Sequence, residues 1–363
     1  MTATTLVERP KFTRDDGFYQ ELKRRVDSYL HDLGSSAHDN ARMYVKTAAI
    51  LLWFGLSYAL LVFVAATWWQ GLLLSCSLAL ATAGVGFSVQ HDGNHKAYSS
   101  RRVVNLVMGT TLDLLGASSY LWHWKHNILH HTYPNLDGAD DDINFQPFAR
   151  LSPTQPRYWI HAYQHVYLWA LYGFLGPKWH LIDDFKDVVR GKIAGSRIPR
   201  PRGWDLFQLV AGKLAFFGWA IGVPLLFHRW WVVLVFYAAA SFVLGLALAI
   251  VFQLAHCVEE ASFPGRVEGR ERLAVGWAAH QVQSTVDFAQ RSRLLTWYLG
   301  GLNFQIEHHL FPKICHVHYP RIAHIVRAAC AEFGVRYSAH DSVIGALQSH
   351  WRWLRRMGHP QAA

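Results

Sequence analysis

Thr47–Gln90 reads TAAILLWFGLSYALLVFVAATWWQGLLLSCSLALATAGVGFSVQ and contains no Asp, Glu, Lys, Arg or His. At about 1.5 Å of rise per helical residue, the run is roughly twice as long as the ~30 Å hydrocarbon core of a bilayer is thick. It predicts two membrane spans, about 47–67 and 71–90. The turn between them falls on Trp68, Trp69, Gln70 and Gly71, where aromatic rings suit the interface and glycine suits a turn. A second pair follows at about 206–227 and 230–255, with His228 and Arg229 between them. Lys213 is the one charge in those two spans, and its long stem predicts an ammonium reaching out to the headgroups.

The basic residues fix an orientation. Of 35 Lys and Arg, eight fall in residues 1–46, thirteen in 91–205 and twelve in 256–363. An even number of spans puts all three segments on one side, and the positive-inside tendency makes that side cytoplasmic. Met1–Thr5 begins no apolar signal core, so no cleaved export signal is expected. The expected protein is multi-pass, with a membrane domain at 45–325, a cytosolic N-terminal segment at 1–44 and a cytosolic tail at 326–363. Cys76, Cys257, Cys315 and Cys330 show no paired short spacing, which excludes a disulfide framework or a cysteine zinc site. The net charge of +10 is spread over the whole cytosolic face with no binding motif, so nucleic acid is not an expected partner. Anionic membrane lipid or an acidic redox protein is. Residues 103–121 and 158–182 are apolar but interrupted by polar side chains, a pattern that suits helices in the interface or along a cavity.

Three histidine clusters sit just beyond the spans. They are His91-Asp92-Gly93-Asn94-His95, His126-Asn127-Ile128-Leu129-His130-His131, and Gln305-Ile306-Glu307-His308-His309. Imidazoles four apart or adjacent share a helix face and bind iron, zinc or copper. Seven of them exceed what one metal needs. Haem would place its axial ligands within the spans, and a zinc hydrolase uses three or four ligands. Two irons, each taking about four imidazoles, account best for the inventory.

The three boxes, in this order and with this topology, resemble those of the integral-membrane fatty acid desaturase family over roughly residues 40–325. The third box, extended as Asn303–Pro312, is similar to that of the front-end (linoleoyl-CoA desaturase-like) acyl desaturases, which opens on Gln where other branches have His. The resemblance implies an all-α integral membrane protein: four transmembrane helices in two hairpins under a cytosolic helical cap that holds a di-iron site. It implies a dioxygen-dependent oxidoreductase that takes two electrons and introduces a double bond into an acyl chain. The metal ligands it implies are His91, His95, His126, His130, His131, His308 and His309. His256, just after the last span, fits an eighth. Asp92, Asp141 and Glu307 are the expected acceptors for the ligands' second ring nitrogens, and Gln305 is expected beside the metals, orienting rather than binding. His280 is a weaker candidate ligand.

The same site also serves hydroxylation or acetylenation, and a non-catalytic lipid sensor is the reading from another class. The acyl group could ride on coenzyme A, an acyl carrier protein or a lipid. No fused haem-binding domain is recognisable in the first 45 residues, so electrons are expected from a separate ferredoxin or small cytochrome. A compact chain of this kind leans toward a bacterial inner membrane.

Overall fold

The computed structural model of the chain describes residues 10–14, 17–34, 36–264 and 272–359. Met1–Thr5, with the expectation about an export signal, lie outside the described residues. An amphipathic helix, α1 (Phe18–Asp32), precedes four helices long and apolar enough to cross a membrane. These are α2 (Ala41–Phe63), α3 (Trp68–His95), α5 (Trp204–Leu225) and α6 (Trp230–His256), with α4 (Arg102–Leu114) between the two pairs. The protein is thus a predominantly helical membrane protein with two hairpins and a helical cap.

Local chemistry moves the predicted boundaries. The first span begins at Ala41 because the Asn40 side chain accepts from Arg42 N and caps the helix. Lys46, six residues in, is buried rather than flanking. The first turn lies at 64–67, not on Trp68–Gly71. Thr67 accepts from Gln70 N while Gln70 Oε1 accepts from Thr67 N, and this capping box puts both tryptophans in α3. Leu52, Leu56, Phe63, Leu73 and Leu214 are exposed along the spans, where lipid tails would cover them.

Lys213 does not reach the headgroups. It is buried in α5, pairs with Asp184 at 2.8 Å and donates to Gly116 O at 2.6 Å. The expectation fails because α5 is covered at that level by cap segments that supply these acceptors, so the ammonium is satisfied inside. The two interrupted apolar stretches do form surface helices. In α4, Val103, Leu106 and Val107 are exposed while Asn105 and Asp113 are buried, and Trp159, Tyr163 and Val166 are exposed further along.

α3 packs between α2 and α6 and runs on past the bilayer level into the cap. Its last turns widen into a π-helical turn at Gly86–Gln90 before His91–His95. Such a turn re-phases a helix face and is common at functional sites. The end segments are built into the same core. Phe18, Leu22, Val26 and Leu30 of α1 pack with Ile306 and Leu310 of α8 (Gln305–Leu310), and with Val326 of α9 (Tyr319–Glu332). α7 (Trp277–Ser284) lies under them. Lys11–Phe12 pairs in parallel with Arg272–Leu273, and Phe12 stacks on Tyr133. Trp353, Leu354 and Met357 of α10 (Val343–Gly358) pack with Ile143 and Tyr172.

Candidate metal centre

Five elements deliver the histidines to one place. His91 and His95 end α3, and His126 and His130 lie on the π-helical stretch His123–His130, with His131 capping it. His256 is the last residue of α6, and His308 and His309 lie on α8. The π-helical stretch matters to the second box. On an α-helix His126 and His131 would project about 140° apart. Here they converge, with Nε2 atoms 3.2 Å from each other.

The eight rings form two adjoining sets. One nitrogen each from His91, His95, His126 and His308 lies within 4.8 Å of the others. His130, His256 and His309 form a second set by the same measure, and His131, His308 and His309 a third that joins the two. His131 sits between, with its ring 4.6 Å from that of His95 and 4.4 Å from that of His309. The Nε2 atoms of His91, His95, His130, His308 and His309 are buried and have no hydrogen-bond partner among the described residues. Buried lone pairs pointed at one another are costly unless something satisfies them. A divalent metal in each set would do so, and the donor set suits iron.

Outer partners hold these rings by their other nitrogen, which fixes the tautomer. His130 Nδ1 donates to Asp140 Oδ2 at 3.1 Å, His309 Nδ1 to Gln281 Oε1 at 2.9 Å, and His308 Nδ1 to the Tyr319 hydroxyl oxygen at 3.3 Å. With Nδ1 protonated, Nε2 is left free to bind. Burial and mutual repulsion among the rings push His126, His131, His308 and His309 well below the usual imidazole range, so they are neutral near neutral pH. His130 goes the other way. Burial opposes its charge, but the Asp140 carboxylate outweighs that and raises it.

Three of the expected outer partners stand elsewhere. Asp141 pairs with Lys125 at 3.3 Å; its neighbour Asp140 takes His130, because the backbone turns so that Asp140 also caps Asn135 N and Asp142 N. Glu307 faces away from every ring, toward Asp287 and the Tyr337 hydroxyl at 3.2 Å. Burial and the neighbouring Asp287 raise its pKa well above the usual carboxyl range, so it is held protonated. Asp92 accepts from His316 Nδ1 at 2.9 Å and is 3.9 Å from His91 Nδ1. His316 in turn meets Lys46 Nζ at 2.8 Å, which occupies its remaining nitrogen and keeps it out of the ligand set. Gln305 does reach the centre, its carboxamide 2.9 Å from His256 Nε2. His280 does not join either set; its ring packs on Phe12 and its Nδ1 is 3.3 Å from Ser284 Oγ. Gln281 opens a Gln-x-x-x-Thr stretch visible in the sequence, whereas nothing there signals Tyr319.

Below the histidines lies a cavity of about 620 Å³ between the spans. Leu72, Ala79, Phe216, Trp231 and Phe236 line it, and His180 and Tyr237 stand at its cap end, joined at 3.1 Å.

Comparison with known proteins agrees with this arrangement. Residues 66–341 match the fatty acid desaturase family. The chain is 40% identical over 362 residues to an sn-1 linoleoyl-lipid 6-desaturase of Arthrospira platensis, covering 98% of this chain and 96% of that one. It is 38% identical to a protein of the same name from Synechocystis sp., covering 97% and 98%. It is also 38% identical to an acyl-lipid (8-3)-desaturase of Physcomitrium patens, covering 95% of this chain and 72% of that one. Fold, histidine boxes and kinship together make this chain a member of the integral-membrane fatty acid desaturase family, in its front-end branch.

Proposed function

We propose that this protein is a membrane acyl-lipid desaturase, which removes one hydrogen from each of two adjacent carbons of a lipid-linked acyl chain and leaves a double bond. The observation that carries the reading is the convergence of eight buried imidazoles in two adjoining sets, with five Nε2 lone pairs unsatisfied. His91, His95, His126 and His308 would hold one iron, and His130, His256 and His309 the other, with His131 at their junction. Two irons bound there would supply the activation of dioxygen, with two electrons, that an unactivated methylene requires.

The chain's own residues do the rest. Asp140, Gln281 and Tyr319 hold protons on Nδ1 and so keep Nε2 turned inward. The Trp122 ring stacks on His126 at 4.3 Å and closes one side with apolar surface. Burial of the set excludes water, which protects a reactive centre from side reactions. Adjacent methylenes are chemically alike, so the carbon pair is chosen by position alone. The apolar cavity between the spans offers room for a long chain, and the names of the relatives favour a lipid-linked one. Orientation of the cap to the cytoplasm of a bacterial membrane is supported by the one-sided distribution of Lys and Arg. A separate acidic electron donor, such as a ferredoxin, would suit that basic face.

The test is gas chromatography–mass spectrometry of total acyl chains from a host expressing the protein, beside the His131→Ala variant. A new unsaturated acid present only with the intact protein is expected, and derivatisation locates its double bond. A hydroxy acid or an alkyne in its place would change the reaction named here. No new product, with ferredoxin and reductase supplied, would refute the enzymatic reading.

A further inference from the structure

The two histidine sets are unequal. The first joins four imidazoles within 4.8 Å, whereas the second joins three, His130, His256 and His309. The side chain that completes the surroundings of the second set is not a histidine. Gln305, 4% exposed, begins α8 one turn before His308 and His309 and brings its carboxamide to 2.9 Å from His256 Nε2.

That nitrogen is the one His256 turns toward the centre. An imidazole lone pair given to a metal cannot also accept a hydrogen bond, so an amide N–H would compete with the metal at that atom. Turned by half a revolution about its last bond, the carboxamide presents its oxygen instead, a neutral donor fit for a hard cation. Spacing supports the second arrangement. Two donors on one divalent ion, each at roughly 2.1 Å and about 90° apart, stand roughly 3 Å from each other. The contact between Gln305 and His256 has that length, and so does the 3.2 Å contact between His126 and His131.

We infer that Gln305 is the fourth protein donor of the second iron, through its amide oxygen, and that this weaker donor makes the second iron the more easily lost of the two. The inference rests on the two-iron reading above. It assigns the two metals different strengths of attachment, four imidazoles against three and an amide.

The test uses the full-length protein in detergent, loaded anaerobically with ferrous iron and desalted, with iron per chain counted by mass spectrometry. Timed exposure to excess ferrozine then gives the rate of loss. In the wild type, two irons per chain are expected to leave in two phases of equal amplitude, the first about tenfold or more faster. Gln305→His should slow the fast phase toward the slow one. Gln305→Leu should emerge from desalting with about one iron, while its Mössbauer spectrum keeps the component belonging to the slow site. Gln305→Glu provides a further variant of nearly equal size, expected to hold both irons at least as firmly as the wild type. The inference is overturned if Gln305→Leu keeps two irons with wild-type kinetics, or if both wild-type irons leave in a single phase that Gln305→His does not alter. A wild type that never binds two irons would refute the two-iron reading itself, whatever stands at position 305.

Discussion

Gly93 sits in the middle of the first histidine box, and replacing it with alanine tests whether the box is placed by backbone contact. An ideal Cβ there would lie 2.5 Å from Gly109 N, 2.8 Å from Met108 C and 2.9 Å from Met108 Cβ, all in α4. Ordinary carbon contacts run at ~3.5–4.0 Å, so the end of α3 must back away from α4 by roughly 1 Å. His91 and His95 flank the glycine and move with it. Overpacking of this kind costs about 1–3 kcal/mol of stability. A shift of that size at a reacting centre costs about 10²-fold in rate. The assay is double-bond formation per mole of folded, monodisperse protein, with iron content measured on the same sample. Gly55→Ala is the control, since a Cβ there meets nothing within 4 Å. Wild-type turnover and full iron in Gly93→Ala would refute the claim that α4 positions the box.

Three further outcomes are expected. Asp140→Asn weakens the hold on His130 and should lower iron affinity by roughly 10- to 100-fold, whereas Asp141→Asn, which touches only Lys125 among the charges nearby, should leave it near wild type; isothermal metal titration separates them. Lys213→Met leaves Asp184 buried without its cation and should cost about 3–5 kcal/mol in thermal unfolding, with much of the loss restored by adding Asp184→Asn. His350 accepts from the Tyr172 hydroxyl at 2.8 Å and donates to Cys257 O at 2.6 Å, and burial lowers its pKa to about 4. The unfolded chain therefore takes up its proton first as pH falls. Stability from this site is full above about pH 6.5 and erodes down to about pH 4, by a total on the order of 3 kcal/mol. His350→Gln should flatten that part of the pH dependence of the melting temperature.

Hydropathy made the four spans legible, since long uncharged runs have few other uses. It did not place their ends, which depend on Asn40 and Thr67 as caps and on a buried Lys46. The box histidines were readable because ligand chemistry selects residue type and spacing together. Their outer partners were not. Asp140 and Asp141 are adjacent and chemically identical, and only the turn that follows His131 decides which one meets His130. Tyr319 and Gln281 come from separate elements, and their approach to His308 and His309 is a product of packing that no local pattern records. Helical periodicity also misjudged the second box, where a π-helical stretch brings together two rings that an α-helix would separate. Lys213 shows the same limit inside the membrane, because its acceptors come from segments distant in sequence.

The packing of α1 against α8 and α9 bears on the order in which the molecule is made. Phe18, Leu22, Val26 and Leu30 leave the ribosome long before Ile306, Leu310 and Val326, their partners in the core. At ~5–20 residues per second, roughly 15–60 s of synthesis separate the two. During that interval all four spans emerge, while the apolar stripe of α1 has no protein surface to cover it. The first two boxes are likewise incomplete, so metal capture belongs to the last moments of translation or to the time after release. Chains arrested before Gln305 should therefore be cut readily by protease within residues 18–32 and bind little iron, and both properties should change together once α8 and α9 are clear of the ribosome.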